Sequence, residues 1–341
     1  MSKKVVCFGE IMLRLSPPGY LRFEQAHSFD VVYGGGEANV AVSLANYGVD
    51  ACFVTKVPAN PVGRAAINEM RRYGVDTRFM QEGGERLGIY FLEKGASQRP
   101  SKVVYDRKLS AISQAQKKDF DWQTIFSGAD WFHFTGITPA LGDNVAEAVR
   151  EACTAAKAAG LTVSCDLNFR KNLWPSEKAG KVMATFMPYV DVCIANEEDA
   201  EKVFGIRAAD SDITGGVLSH EGYKAVAGQL KERFGFQIVA ITLRGSISAS
   251  DNNWAAMLYK NGEYHFSRNY PVHIVDRVGG GDAFAASLIY TFLNGYGDKD
   301  ALEFAAAASC LKHCIEGDAN HVTVDEVKTL MAGEASGRVR R

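Results

Sequence analysis

Three glycines and an acid, Gly279-Gly280-Gly281-Asp282, stand between a short apolar run at 272–275 and a small-residue apolar helix expected at 283–293. Glycines ahead of a helix let successive backbone N–H groups point at one spot, and the helix N-terminus adds partial positive charge. That combination suits a phosphate. An acid at its mouth would repel a phosphate that is merely bound. Asp282 therefore makes sense as a base that takes a proton from a hydroxyl while the amides hold the developing negative charge. The competing reading is an ordinary helix N-cap, which Asp also favours.

Three other stretches carry polar groups next to apolar runs. Gly34-Gly35-Gly36-Glu37-Ala38-Asn39 precedes a helix. A dinucleotide fingerprint would need a small residue where Asn39 stands and an acid about 20 residues on at a strand end. A substrate lying against the glycine backbone, with Asn39 bonding its hydroxyls, is one alternative, and a tight turn is the other. Asp166-Leu167-Asn168-Phe169-Arg170 follows a strand, at the end where open α/β sheets bind ligands. Arg170 offers a planar fork for carboxylate or phosphate, or else a surface pair with an acid. Asn196-Glu197-Glu198-Asp199 also follows a strand, and its acids suit either water-held Mg²⁺ or a first helical turn. Tyr90, Tyr105 and Arg107 form a fourth group, and Arg107 with Arg170 could grip an anion.

The elements that must position these residues alternate. Strands are expected at 4–9, 51–57, 129–134, 161–165, 190–194 and 237–242. Helices are expected at 38–47, 62–73, 143–159, 176–187, 197–204, 219–234, 280–294, 299–315 and 323–332. Strands alternating with helices mean a mostly parallel sheet covered on both faces. A hairpin is expected at 254–259 and 264–267 around Asn261-Gly262. Strands at 78–81, 88–93 and 102–105 lack helices between them. With parts of 11–33 they are assigned to a small antiparallel sheet that projects as a lid, inserted at about 11–33 and 76–108. Residues 206–217 read as a polar insertion and the last residues as a mobile tail. The 341 residues otherwise read as one domain.

Composition narrows the class. A charged fraction of 23% and a net charge of −2 offer no basic field for nucleic acid or an anionic membrane surface. No apolar run reaches a membrane span, and the N-terminus reads as a strand rather than a signal peptide. The seven cysteines are expected to be buried thiols in a reducing cytoplasm. The histidines show no metal spacing, and no nucleophile elbow, zincin or P-loop motif occurs.

Taken together, the motifs resemble the PfkB, ribokinase-like family of sugar kinases over about residues 5–330. The family's D-T-x-G-A-G-D is matched by Asp276, Gly279, Gly281 and Asp282, with Arg277 and Gly280 departing. Its Gly-Gly pair before an Asn is matched by Gly34, Gly35 and Asn39, with Glu37 where a small residue is usual. Its N-x-x-E becomes Asn196 to Asp199. Its T-L-G-x-x-G appears as Thr242-Leu243-Arg244-Gly245-Ser246, with the glycine displaced. The segments GEIMLRLSPPG, YGGGEANVAVSLA, DLNFR and HCIEGDAN resemble the branch acting on 2-keto-3-deoxygluconate.

The resemblance implies a three-layer α/β/α fold with a β lid, ATP and Mg²⁺, and a monovalent cation as a further candidate. It implies Asp282 as base beside Gly279, Gly280 and Gly281. Sugar contacts would fall at Gly34, Gly35, Asn39, Tyr90, Tyr105, Arg107, Arg170 and Asp318. Nucleotide contacts would fall at Asn168, Asn196, Thr242, Arg244, Gly245, Gly279 and Gly281. Glu198 or Asp199 would serve the Mg²⁺ water shell. A keto-acid sugar calls for an arginine pair, whereas fructose or ribose does not. A neutral-sugar kinase, a nicotinamide oxidoreductase and a non-catalytic sugar sensor are the alternatives. The exposed edges of the lid point to a homodimer or larger homo-oligomer.

Overall fold

A computed structural model describes residues 3–196, 198–207 and 220–334. The insertion expected at 206–217 falls almost wholly outside these residues, as does the tail from 335 on.

Fourteen strands are described: β1 (Lys4–Phe8), β2 (Met12–Ser16), β3 (Asp30–Gly34), β4 (Asp50–Val57), β5 (Met80–Glu82), β6 (Gly88–Glu93), β7 (Lys102–Asp106), β8 (Trp131–Thr135), β9 (Thr162–Asp166), β10 (Val192–Asn196), β11 (Ile238–Ser246), β12 (Asp251–Lys260), β13 (Glu263–Phe266) and β14 (Tyr270–His273). The large sheet has the order β13-β12-β11-β10-β9-β8-β1-β4-β5, with β14 also on β12. From β11 to β5 its neighbours are parallel; β12, β13 and β14 add antiparallel pairs at one end.

Helices cover both faces: α1 (Gly36–Asn46), α2 (Pro61–Arg72), α3 (Trp122–Ile125), α4 (Ile137–Ala140), α5 (Asp143–Ala158), α6 (Ser176–Ala184), α7 (Asp199–Phe204), α8 (His220–Phe234), α9 (Gly280–Leu293), α10 (Asp298–Lys312) and α11 (Val324–Met331). Period-2 alternation makes each central strand serve two cores. In β1, Val5 and Cys7 enter the core under α1, α9 and α10, while Val6 and Phe8 enter the core under α5, α6 and α8. The first core is rich in alanine (Ala285, Ala286, Ala305–Ala308), so α9 and α10 pack closely. The hairpin turn forms at Asn261-Gly262, both with positive φ (51° and 86°), as a two-residue primed turn requires.

A second sheet stands apart with the order β3-β2-β6-β7. It differs from expectation in two ways. The β2–β6 pair is parallel, so the sheet is mixed rather than antiparallel. The strand expected at 78–81 is not in it: β5 pairs with β4 at the edge of the large sheet, where Met80 is buried and the backbone of Asp76 already bonds to Ala51 and Phe53. One cysteine also departs. Six are buried, but Cys314 is exposed because it follows the end of α10. Among the described residues no helix is long and apolar enough to cross a membrane.

Candidate active site

Parallel strands end their backbone ladders in register, so residues at their carboxyl ends form a row. Thr135 pairs with Asp166, Ile194 with Asp166, and Asn196 with Thr242, which sets Asp166, Asn196 and Thr242 along one lip of the sheet. Asn168 turns the chain away from this lip with φ +38° and donates its amide to Asp166 Oδ1 at 3.1 Å. The second sheet faces this lip, and a cleft of about 340 Å³ lies between them.

The N-termini of α1 and α9 both open on the cleft. Gly279, at φ +84°, precedes α9, and a Cβ there would lie 2.1 Å from the Asp318 carbonyl oxygen. The first-turn amides of α9, like those of any helix, lack an intrahelical acceptor, and no side chain caps them. Asp282 lies inside that first turn and not at the cap, which removes the N-cap reading. Its Oδ2 accepts a 2.7 Å bond from Asn39 Nδ2, and its Oδ1 lies 3.8 Å from where a Cβ on Gly36 would stand. Loss of water raises the Asp282 carboxyl to about 6; the bond from Asn39 opposes this and the nearby Asp318 adds to it. Asp166, across the cleft floor, is pushed well up by burial and by the charges of Asp199 and Asp282.

Glu37, the residue that departs from the small-residue pattern, is buried and does not face the cleft. It accepts from the Thr135 amide at 2.9 Å, from Thr135 Oγ1 at 2.8 Å and from Thr138 Oγ1, so it ties α1 to the β8–α4 turn. Gly9 leaves room for it.

On the opposite wall Asp318 is held by Arg14 Nη1 at 2.7 Å and by the Tyr90 hydroxyl. Arg14 Nη2 also bonds Asp276 at 2.6 Å. Gly34 lets this acid approach, since a Cβ there would fall 2.2 Å from Asp318 Oδ2. Arg107 is buried and paired with Glu10. Its guanidinium lies 5.4 Å from the Tyr105 ring centroid. Arg170 is exposed, donates to the Phe169 carbonyl at 3.1 Å and has no acid within ion-pair range among the described residues. The surface-pair reading of Arg170 therefore falls away. Arg244 lies over Trp254 at 5.5 Å with its buried Nε unpartnered.

The cleft lining brings together Gly35, Asn39, Tyr90, Tyr105, Arg107, Asn168, Arg170, Asn196, Thr242, Arg244, Gly279, Gly280, Gly281, Asp282 and Asp318. Four expected site residues lie elsewhere. Gly34 packs behind Asp318. Gly245 sits within β11 with its α-carbon toward Asn253. Glu198 lines a neighbouring cavity of about 1180 Å³ that shares Tyr105, Arg107 and Arg170 but holds neither Asp282 nor the glycine amides. Asp199 lines neither cavity: its oxygens accept the amides of Phe169 (2.9 Å) and Asn196 (3.1 Å). That is the structural alternative for the 196–199 stretch. Asp166, Glu10 and Arg14 were not assigned from sequence. Asp166 carried a signal, an acid at a strand's carboxyl end; Glu10 and Arg14 carried none, because their partners lie 97 to 304 residues away.

Known proteins place the chain in a family. The model of the pfkB family of carbohydrate kinases matches residues 2–323. The chain is 32% identical over 337 residues to a 2-dehydro-3-deoxygalactonokinase of Haloferax volcanii, covering 99% of each. It is 28% identical to a 2-dehydro-3-deoxygluconokinase of Thermoproteus tenax, covering 92% of this chain and 89% of that one. The crystal structure of 2-dehydro-3-deoxygluconokinase from Thermotoga maritima superposes with a TM-score of 0.94 at 55% identity, covering 97% of this chain and all of that one. The uncapped amides at α9, the acid beside them and this match along nearly the whole length agree, and the chain belongs to the pfkB family of carbohydrate kinases, with the ribokinase-like fold.

Proposed function

We propose that this kinase transfers the γ-phosphoryl group of ATP to the terminal hydroxyl of 2-keto-3-deoxygluconate, with Asp282 as general base. The observation that carries this is the place of Asp282: in the first turn of a helix with no side-chain cap, in a cleft that Arg107 and Arg170 also line. Relatives named for 2-dehydro-3-deoxy sugar acids support the substrate class.

The sugar's carboxylate lies toward Arg170 and Arg107. Arg107 is already neutralised by Glu10, so recognition of the acid falls first on Arg170, which has no carboxylate within ion-pair range although Asp166, Asp199 and Asp282 feel its charge. Asn39 orients the Asp282 carboxylate, which takes the hydroxyl proton as the oxygen attacks phosphorus in line. The amides of Gly279, Gly280 and Gly281 hold the charge on the moving phosphoryl group, since such transfer is mostly positioning and electrostatics. Asn168, Asn196, Thr242 and Arg244 bind the nucleotide; the unpartnered Arg244 Nε and the open amides of α9 suit a polyphosphate. A bound Mg²⁺ would supply positive charge to the phosphate oxygens. Asp166, whose pKa is raised by burial and by the charges of Asp199 and Asp282, and Glu198 from the adjoining cavity would hold its water shell, while Asp199 fixes the loop beneath them. The second sheet acts as the lid that excludes water during transfer.

ADP release should be assayed against 2-keto-3-deoxygluconate, 2-keto-3-deoxygalactonate, fructose and ribose. Preference for a keto-acid sugar is expected. Equal or faster turnover of fructose or ribose would establish a neutral-sugar kinase instead.

The outer face of the lid carries Leu15, Val31, Ile89, Phe91 and Val104, with Val31 and Val104 more than half exposed. We infer that a second copy covers this face. Sedimentation should give a dimer or larger assembly for the wild-type protein and a monomer for Val104→Lys. A wild-type monomer at assay concentration would refute it.

A further inference from the structure

Lys312 is the last residue of α10, yet its side chain has no exposed surface. A lysine at a helix end ordinarily reaches water, and a buried ammonium is costly unless something compensates it. Its Nζ donates to the Ile315 carbonyl at 3.1 Å, its single hydrogen bond among the described residues. Its stem runs directly under the phosphate-binding turn: a Cβ on Gly279 would lie 3.1 Å from Lys312 Cε.

The layer around it is charged and buried. Asp276 and Asp318 are each almost fully buried, and Arg14 bonds both. Arg14 alone would leave that layer with one excess negative charge beneath amides that must attract phosphate. Lys312 brings the pair of acids to balance; burial, with Arg14 adding to it, lowers its pKa, while the fields of Asp276, Asp318 and Asp282 favour its charged form. His313, whose ring lies under Gly280, supplies no charge; burial holds its pKa at about 4 and its Nδ1 is engaged with the Ser309 carbonyl.

We propose that the Lys312 ammonium is a built-in cation of the phosphoryl site: it anchors the 315–318 loop under Gly279 and supplies the positive charge that a diffusible monovalent cation would otherwise provide. The acceptors around it are already served. The Ile315 carbonyl takes Lys312. Asp276 takes Arg14 and the amides of Val278 and Gly317, and Asp318 takes Arg14 and Tyr90. Lys312 touches no reacting atom and is a positioning residue. The inference rests on the role proposed for the Gly279–Gly281 amides.

The test is ADP release with Mg²⁺-ATP and sugar acid in choline buffer, with and without potassium or ammonium. Wild-type turnover should be the same in all three within about twofold. Lys312→Met should lose up to about hundredfold in kcat, the low end of the roughly hundredfold to thousandfold cost of removing a donor that contacts the developing charge directly, and should regain activity when potassium or ammonium is added. Wild-type turnover that collapses in choline and returns with potassium overturns the proposal. So does a folded Lys312→Met protein with wild-type kcat, or one whose loss no cation relieves, which would assign the lysine to packing. Should Lys312→Met fail to fold, the wild-type cation series decides alone. Asp282→Asn run in parallel separates the levels: full turnover there removes the phosphoryl-site reading itself, whereas a dead Asp282→Asn beside an unaffected Lys312→Met removes only the lysine's role.

Discussion

The floor of the cleft and the sheet that faces it are held in opposite ways. The floor rests on α9 and α10, whose alanines and Phe284, Leu288 and Phe304 lie in a continuous apolar core. The facing sheet has a buried apolar cluster of only Met12, Tyr90 and Leu92, with Val278 against it. Beyond Leu13 and Tyr33, which pack on the main core, its ties to the rest are polar: Arg14 to Asp276 and Asp318, Tyr90 to Asp318, Arg107 to Glu10, and at the surface Lys94 to Glu316. Apolar burial is strong but non-directional, whereas a buried ion pair adds little net stability and demands one geometry. The floor is therefore a rigid base for chemistry. The facing sheet is registered over it by a few directional contacts, and three of its tethers converge on the loop that also carries the site.

This contrast predicts that variants separate by wall. The largest effect belongs to the floor. Asp282→Asn should lower turnover by about 10²- to 10⁴-fold, the usual worth of a general base, while ATP still binds. Its stability should not suffer. An acid whose native pKa is about 6 and whose unfolded value is the ordinary 3.8 makes the native state bind more protons between those values, so this group's contribution falls as pH rises through that window. A neutral Asn escapes that cost, and its melting temperature at neutral pH should equal or exceed wild type.

The next effect belongs to the facing sheet. Arg14→Met strands Asp276 and Asp318 without their shared cation and should cost about 3–5 kcal/mol in urea unfolding. A loss below about 1 kcal/mol would mean that the tethers do not hold this wall. The smallest effect sits on the rim. Arg170→Ala should raise KM for the keto-acid sugar about tenfold to hundredfold, the worth of one charged hydrogen-bonding partner. KM for ATP and the unfolding midpoint should stay near wild type, because Arg170 is exposed and holds no acid. An unchanged sugar KM would move acid recognition to Arg107 and blur the division between rim and wall.

The same division governs what could be read from residue order. The floor is local: the glycines, Asp282 and the following apolar helix are contiguous, and strand–helix alternation announces the parallel sheet. Arg170 follows, and Thr242 ends, a run that reads as a strand, and Asn39 follows three glycines that open a helix. The facing sheet is not local. Its strands were partly legible, but β5 was misplaced because a three-residue edge strand carries too little periodicity to show which sheet it joins. The parallel β2–β6 pairing and the Arg14 tethers depend on partners far along the chain, where no spacing rule operates. Asp199 shows a further limit. An acid at a strand end looks the same in sequence whether it faces a ligand or, as here, accepts two backbone amides.

The acid limb of kcat/KM is the most direct test of Asp282 as base, measured for wild type and Asp282→Asn from about pH 5 to 8. A base raised to about 6 predicts that wild-type kcat/KM falls with protonation below that value, and that the limb disappears from the small residual activity of Asp282→Asn. The same limb in both proteins, or turnover near wild type in the Asn variant, would contradict it.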